Sequence, residues 1–184
     1  MRNICVWNSV PRLDSARALL KSSAAMDHGQ GGRHGMATAP GAYDALFPYQ
    51  QLLGFRVLEW EDDAILLGLD AAGRHLDEAG LVDRGVQASL LDAATGLAGC
   101  LCRVPGNMRR VVTLNLSTQF LAPAEPAALR IRGRITHRDG KILLAEGLLH
   151  GRDGRLVASA TARLRYVAGS EDPAGHPELD LQVG

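Results

Sequence analysis

Residues 81–103 read LVDRGVQASLLDAATGLAGCLCR, and the rest of the chain is organised around this stretch. Between Arg84 and Arg103 the one charged residue is Asp92; the remainder is Leu, Val, Ala, Gly, Cys and small polar residues. The composition predicts a helix that is apolar on every side, and such a helix is buried on every side. An ionised carboxylate in that setting is costly unless it is paired or hydrogen-bonded. Either Asp92 is a satisfied structural charge, or the helix serves to present it. The stretch is nearly long enough to cross a bilayer, but Asp92 at its centre, with Gln87, Ser89, Thr95 and three glycines, argues against spanning.

The 184 residues suit one domain with tails, and 46% apolar residues are enough for a full core. Twenty basic and 20 acidic residues balance, which leaves no electrostatic footprint for nucleic acid and no polybasic membrane patch. Aromatics at 4% are too few for base stacking as a binding mode. Cys5, Cys100 and Cys102 form no CxxC pair. Cys100 and Cys102 read as small core residues on different faces of the helix, in a reducing compartment. No ligand spacing supports a metal site. The N-terminal residues lack a continuous apolar run of the secretory type, so a cytoplasmic location is expected.

Before the helix, residues 1–40 contain the glycine-rich run HGQGGRHG (28–35) and are expected to be a disordered leader, with Met26 and Met36 as alternative starts. A short helix is expected over 43–53, interrupted by Pro48 and ended by Gly54. A hairpin follows: Phe55, Val57 and Glu59 alternate with Arg56, Leu58 and Trp60, EDD (61–63) turns the chain, and AILLGL (64–69) returns. A polar loop, 70–80, leads into the helix.

After the helix, residues 111–121 read as a long strand, with Leu114, Leu116, Thr118 and Phe120 on one face and Thr113, Asn115, Ser117 and Gln119 on the other. Pro123 and Pro126 end it. Three further strands are separated by Asp139-Gly140 and Asp153-Gly154, both strong hairpin turns. The tail from Gly169 is expected to be flexible. Strands in runs with one segregated helix indicate an α+β domain over 41–168: a curled antiparallel sheet, its last four strands a meander, wrapped around one long central helix. The stripe Arg130, Arg132 and Arg134 reads as a solvated strand face, and Trp60 and Phe120 as core or interface anchors.

Chemistry concentrates at the central helix. There is no GxSxG, P-loop or strand-borne GxGxxG. Gly85 lies at the predicted helix start, where unpaired N–H groups and the positive dipole end suit an oxyanion. Asp92 lies two turns on, beside Ala88, Ser89, Thr95 and Gly96, which are small enough for a substrate to approach. The bland alternative is that Asp92 hydrogen-bonds neighbouring backbone or hydroxyls and does no chemistry.

From about 53 to 167 the chain resembles the hotdog-fold acyl-CoA thioesterases of the PaaI type. The resemblance rests on Gly85 and Asp92 with six residues between them, the DAATGLAG run, VTLNLSTQFLAPA with its Phe-x-x-Pro end, the DGK turn at 139–141 and the DGRLVASATARLRY finish. It implies a dimer or tetramer with active sites at subunit interfaces, and hydrolysis of acyl-CoA without a metal or redox cofactor. Asp92 would be nucleophile or general base. The Gly85 N–H would hold the thioester carbonyl, and Thr113 from the partner's strand would position water. Asp77, Asp83, Arg84 and Val86 would line the substrate at the helix mouth, and His137, Arg138 and Lys141 would lie along the CoA arm. The family usually reads His-Gly-Gly where this chain has Asp83-Arg84-Gly85, and often Asn where it has Asp77. His75 is a candidate replacement for the histidine. The altered entry also motivates a rival reading, a non-catalytic acyl-CoA-binding or interaction module; a third reading, a hydratase or dehydratase, would want an Asp/His pair, and no histidine here has an assured place.

Overall fold

The structure is a computed structural model that describes residues 48–177, all within one compact unit spanning Ala37–Gly184. The expectations for the leader and for residues 43–47 lie outside the described residues. Helix α1 is described over Pro48–Leu53, with Pro48 itself helical. Strands β1 (Arg56–Glu61) and β2 (Ala64–Asp70) form the hairpin. A 3-10 turn (Gly73–His75) leads to the central helix α2 (Arg84–Ala98). Then come β3 (Asn107–Met108), β4 (Val111–Phe120), β5 (Ala128–Asp139), β6 (Ile142–His150), β7 (Leu156–Tyr166) and β8 (His176–Pro177).

Six strands form one antiparallel sheet in the order β1-β2-β5-β6-β7-β4, with α2 packed against it. This is the expected hotdog arrangement, with one correction: β4 does not run beside β5 in a meander but closes the far edge beside β7. The segment joining β4 to β5 therefore crosses one end of the sheet. The N–H groups of Leu121 and Ala122 donate to the Val157 carbonyl, and the Ala71 N–H donates to Ala127. Between them, the Ala124 carbonyl accepts from Val82 N–H at 2.8 Å and tethers the entry of α2 to this crossing.

The helix docks where the sheet has no side chains. Gly133 of β5 and Gly147 of β6 pair directly, and Gly147 pairs Ala160 of β7. A Cβ at Gly133 would lie 2.0 Å from the Ala94 carbonyl oxygen, so only glycine admits the helix backbone there. Leu90, Leu91, Ala94 and Ala98 of α2 are buried in one cluster with Leu67, Ile131, Leu149 and Ala160. Each leucine contributes about 1.5–3 kcal/mol on burial.

Several local expectations change. The helix does not run through 81–103: it ends at Ala98 with Gly99 as its cap, so Cys100 and Cys102 lie beyond it, both buried. Nor is it buried all round. Gln87, Leu90, Leu91, Ala94, Thr95 and Ala98 are covered by the sheet, while Ala88, Ser89, Asp92, Ala93, Gly96 and Leu97 are partly exposed. Small residues, not large apolar ones, make up most of that outer face. A bulge in β1 between Val57 and Glu59 puts Trp60, not Glu59, on the core side with Val57. The described part of the tail packs back on the domain: β8 pairs β3, and the buried Ser170 carbonyl accepts from the Arg109 guanidinium at 3.0 Å. Residues 169–177 are held because the loop after α2 leaves backbone and side-chain groups that they satisfy.

Candidate active site

The mouth of α2 is built by Asp83. Aspartate is among the strongest N-caps because its side chain accepts from the N–H groups that a helix start leaves unpaired. Here Asp83 Oδ1 accepts from Gly85 N–H at 2.7 Å and from Val86 N–H at 3.3 Å. The Asp83 carbonyl takes the first helical bond, from Gln87 N–H at 3.0 Å, and the Gln87 amide donates to the Val82 carbonyl at 2.8 Å. The Gly85 N–H expected to hold a substrate carbonyl is thus already bonded within the chain. Arg84 sends its guanidinium over the ring of Phe120, 5.5 Å from the centroid, at the end of β4. Asp77 shapes the loop before the helix by accepting from the N–H groups of Ala79 and Leu81 at 2.9 and 3.0 Å.

Asp92 sits two turns along on the partly exposed face. The small side chains beside it do not bind its carboxylate. The Thr95 hydroxyl goes to the Leu91 and Asp92 carbonyls, and the Ser89 hydroxyl to the Gly85 carbonyl. The carboxylate instead accepts from Thr113 Oγ1–H at 2.8 Å, across from β4. Strict alternation would put Thr113 on the face away from Leu116. A bulge between Thr113 and Asn115 shifts the register, so that Thr113 pairs Leu164 and Leu116 pairs Ala162, both on the helix side. The hydroxyl that the resemblance assigned to a partner's strand is therefore engaged by the same chain's own carboxylate. One of about four lone-pair positions on that carboxylate is filled, and its partial exposure leaves the rest open to water.

A contact that the sequence does not show, from helix α1, also reaches this face. The Tyr49 hydroxyl lies 2.8 Å from Ser89 Oγ, and because Ser89 donates to Gly85, Tyr49 is the donor between them. Nothing in the sequence relates two residues 40 positions apart.

The remaining candidates lie apart from Asp92. His75 is buried, with Nδ1 accepting from Ala72 N–H at 3.0 Å and Nε2 donating to the Leu53 carbonyl at 2.8 Å. Both nitrogens are committed to holding the loop, so His75 does not replace the family histidine. A bulge between Ile135 and His137 turns His137 to the outer face, opposite the exposed Leu144. Arg138 donates to the Tyr166 hydroxyl at 2.7 Å and pairs with Asp63. Lys141 pairs with Glu171 at 3.0 Å. Both cations are engaged within the chain.

Tyr166 forms a second polar centre, at the far end of α2. Its hydroxyl donates to the Gly99 carbonyl at 2.8 Å and accepts from Arg109 and Arg138, each at 2.7 Å. Burial pushes its pKa up, against the lowering influence of the two guanidinium groups. Burial likewise pushes the neighbouring Cys100 thiol up to about 12, which makes it an inert core residue rather than a nucleophile.

Three comparisons bear on this arrangement. Residues 79–158 match the sequence model of the thioesterase superfamily. Among solved structures, a thioesterase from Haemophilus influenzae is 20% identical, with a TM-score of 0.59, covering 65% of this chain and 82% of its own. A thioesterase family protein from Silicibacter pomeroyi is 23% identical, with a TM-score of 0.60, over 67% and 91%. A Streptococcus mutans protein bound to acetyl-CoA is 20% identical, with a TM-score of 0.55, over 67% and 91%. These likenesses agree on the fold. No curated protein matches the chain. The superfamily match spans the helix mouth, Asp92, Thr113 and the 137–141 turn; the PaaI-type subdivision remains a resemblance.

Proposed function

We propose that this chain hydrolyses acyl-CoA thioesters to a free acid and CoA. The observation that carries the reading is Asp92, partly exposed on the central helix and held by Thr113 at 2.8 Å. With one oxygen held by the hydroxyl, the other would serve a water or the thioester carbon. As a general base, Asp92 takes a proton from water as the oxygen attacks. The tetrahedral intermediate then breaks its carbon–sulfur bond, and the departing thiolate takes up a proton. As a nucleophile, Asp92 attacks the thioester carbon, the carbon–sulfur bond breaks and the CoA thiolate leaves and takes up a proton, and water then opens the mixed anhydride to the free acid and the Asp92 carboxylate. Neither route calls for a metal or redox cofactor. The N–H groups at the mouth of α2, Gly85 foremost, would stabilise the developing oxyanion once Asp83 releases them. Asp92→Asn tests the reading: the variant folds, and thiol release from a panel of acyl-CoAs drops by about 10²–10⁴. Activity equal to wild type sinks it.

The same reading includes a second copy of the chain. Strand β4 is a sheet edge, and Val112, Leu114, Phe120 and Leu121 on and beyond it are exposed by 39–53%. A long edge of unpaired N–H and carbonyl groups with apolar side chains is suited to pairing with another strand. Edge-to-edge pairing of two copies would cover it and bring a partner to the exposed face of α2.

A specific observation favours one rival, a non-catalytic acyl-CoA-binding module: the Asp83 carboxylate occupies the Gly85 N–H. Calorimetry that finds acyl-CoA binding with no turnover would select this rival.

A further inference from the structure

We infer that Tyr49 is a specificity-determining residue of the proposed site, its ring bounding the space beside Asp92 that an acyl group would occupy. The inference rests on the thioesterase reading and names the side of the site that limits the acyl group.

Two rows of side chains line the outer face of α2. Residues four apart follow one another along a helix surface, so Arg84, Ala88, Asp92 and Gly96 form one row and Gly85, Ser89 and Ala93 the next. Strand β4 borders the first row: Phe120 lies under the Arg84 guanidinium, Thr113 binds Asp92, and a Cβ at Gly96 would meet Val111 at 3.7 Å. Helix α1 borders the second row, through the 2.8 Å bond between the Tyr49 hydroxyl and Ser89 Oγ. Asp92 therefore stands between β4 on one side and Tyr49 on the other. Side chains on a helix lean toward its N-terminus, so the Asp92 carboxylate lies over the turn that carries Ala88 and Ser89. The Tyr49 phenol is tied to that same turn.

Core packing does not put Tyr49 there, since the residue is 56% exposed. The anchor of α1 is at its other end: Leu53 is buried, its carbonyl accepts from His75 Nε2 at 2.8 Å, and Gly54 N–H closes the last turn on the Gln50 carbonyl at 2.8 Å. The Tyr49 hydroxyl is committed to Ser89, so what the ring offers to a group approaching Asp92 is apolar surface. Leu52, three residues on and also largely exposed, extends that border along α1. Such a wall contacts hydrocarbon and excludes volume. It fits an apolar acyl group short enough to end at the ring, and it gives no partner to an acyl group that carries a charge.

The experiment measures kcat/KM by thiol release from acetyl-, hexanoyl-, benzoyl- and dodecanoyl-CoA, and the dissociation constants of the same series by calorimetry. It compares wild type, Tyr49→Phe, Tyr49→Ala and Asp92→Asn. Tyr49→Ala removes the ring, and the ratio of dodecanoyl to acetyl kcat/KM is expected to rise by about 10–200-fold, the range that a change of fit in an apolar pocket supplies. Tyr49→Phe keeps the ring but frees it from Ser89, and its profile should lie between those of wild type and Tyr49→Ala. A merely structural residue scales every substrate alike, so a Tyr49→Ala profile parallel to that of wild type overturns the inference, whatever the absolute rates. If no variant releases thiol, the thioesterase reading fails separately, as the role of Asp92 does if Asp92→Asn is as active as wild type. The chain-length profile, in rates or in dissociation constants, still decides on Tyr49. An acyl series bound with the same profile by wild type and Tyr49→Ala, or by neither, overturns its role.

Discussion

Thr113 and Asp92, 21 residues apart in sequence, meet through a 2.8 Å hydrogen bond that joins the edge strand β4 to the outer face of the central helix. On this exposed surface the hydroxyl adds little to stability, but its hydrogen bond favours one rotamer of Asp92. Thr113→Val keeps the shape and the strand preference but removes the donor. The expected outcome is a fall in kcat of about 10–100-fold in a thiol-release assay, with stability changed by less than about 0.5 kcal/mol because the residue is exposed. An unchanged kcat would detach Thr113 from the chemistry.

Gly133 and Gly147 predict unequal responses to the same substitution. At Gly133 an added methyl meets the Ala94 backbone at 2.0 Å, and the helix must lift; Gly133→Ala is expected to destabilise by about 3 kcal/mol. At Gly147 the nearest atoms are Leu91 Cδ2 and Thr95 Cγ2, at 3.0 and 3.1 Å, and side chains can shift; about 1 kcal/mol is expected. Urea denaturation of both variants checks the order, and equal losses would contradict the docking geometry.

Tyr166 predicts an alkaline limb to stability. Its pKa in the fold is raised above the usual 10, chiefly by burial, so the folded chain holds that proton more tightly than the unfolded chain. The stabilisation is fully present below pH 10 and is lost as pH rises through the folded value. Tyr166→Phe should flatten the decline above pH 10. At neutral pH it should cost about 2–4 kcal/mol, because Arg109 and the Gly99 carbonyl lose a buried partner. Chemical denaturation at several pH values measures both effects, and an unaltered alkaline limb would refute the assignment.

Cys100 should resist alkylation in the native protein. With its thiol at about 12, only about 10⁻⁴ of it is ionised at pH 8, and it is buried. Iodoacetamide followed by peptide mass spectrometry should modify Cys100 only after unfolding. Rapid native labelling would show that the segment after α2 opens.

The β4 edge predicts self-association. Leu114→Lys places a charge on the exposed edge, where Leu114 is 49% exposed. Sedimentation should show wild type as a dimer or larger and the variant shifted toward monomer. A monomeric wild type would remove the second copy from the proposed site.

Much of the fold was legible because its signals are local. The Asp-Gly turns at 139–140 and 153–154 lie between the strands they were expected to join, with Gly140 and Gly154 at φ of 55° and 79°. The alternation of Leu129, Ile131 and Gly133 against Arg130, Arg132 and Arg134 matches their burial. Faces went astray at the bulges in β1 and β4, because one extra residue reverses parity and leaves no mark in composition. The position of β4 beside β7 was hidden for a related reason: strand order depends on which edges meet, and the proline-bearing connection allows more than one.

The sequence by itself determined that one apolar, small-residue helix carrying a single carboxylate would pack against a sheet, since periodicity and composition act residue by residue. Only the tertiary structure decided what that carboxylate and the helix mouth touch. A bulge brings Thr113 to Asp92, and the cap geometry lays Asp83 over Gly85. Both are matters of ångströms and direction, set by register and backbone angles rather than by the kinds of residue present.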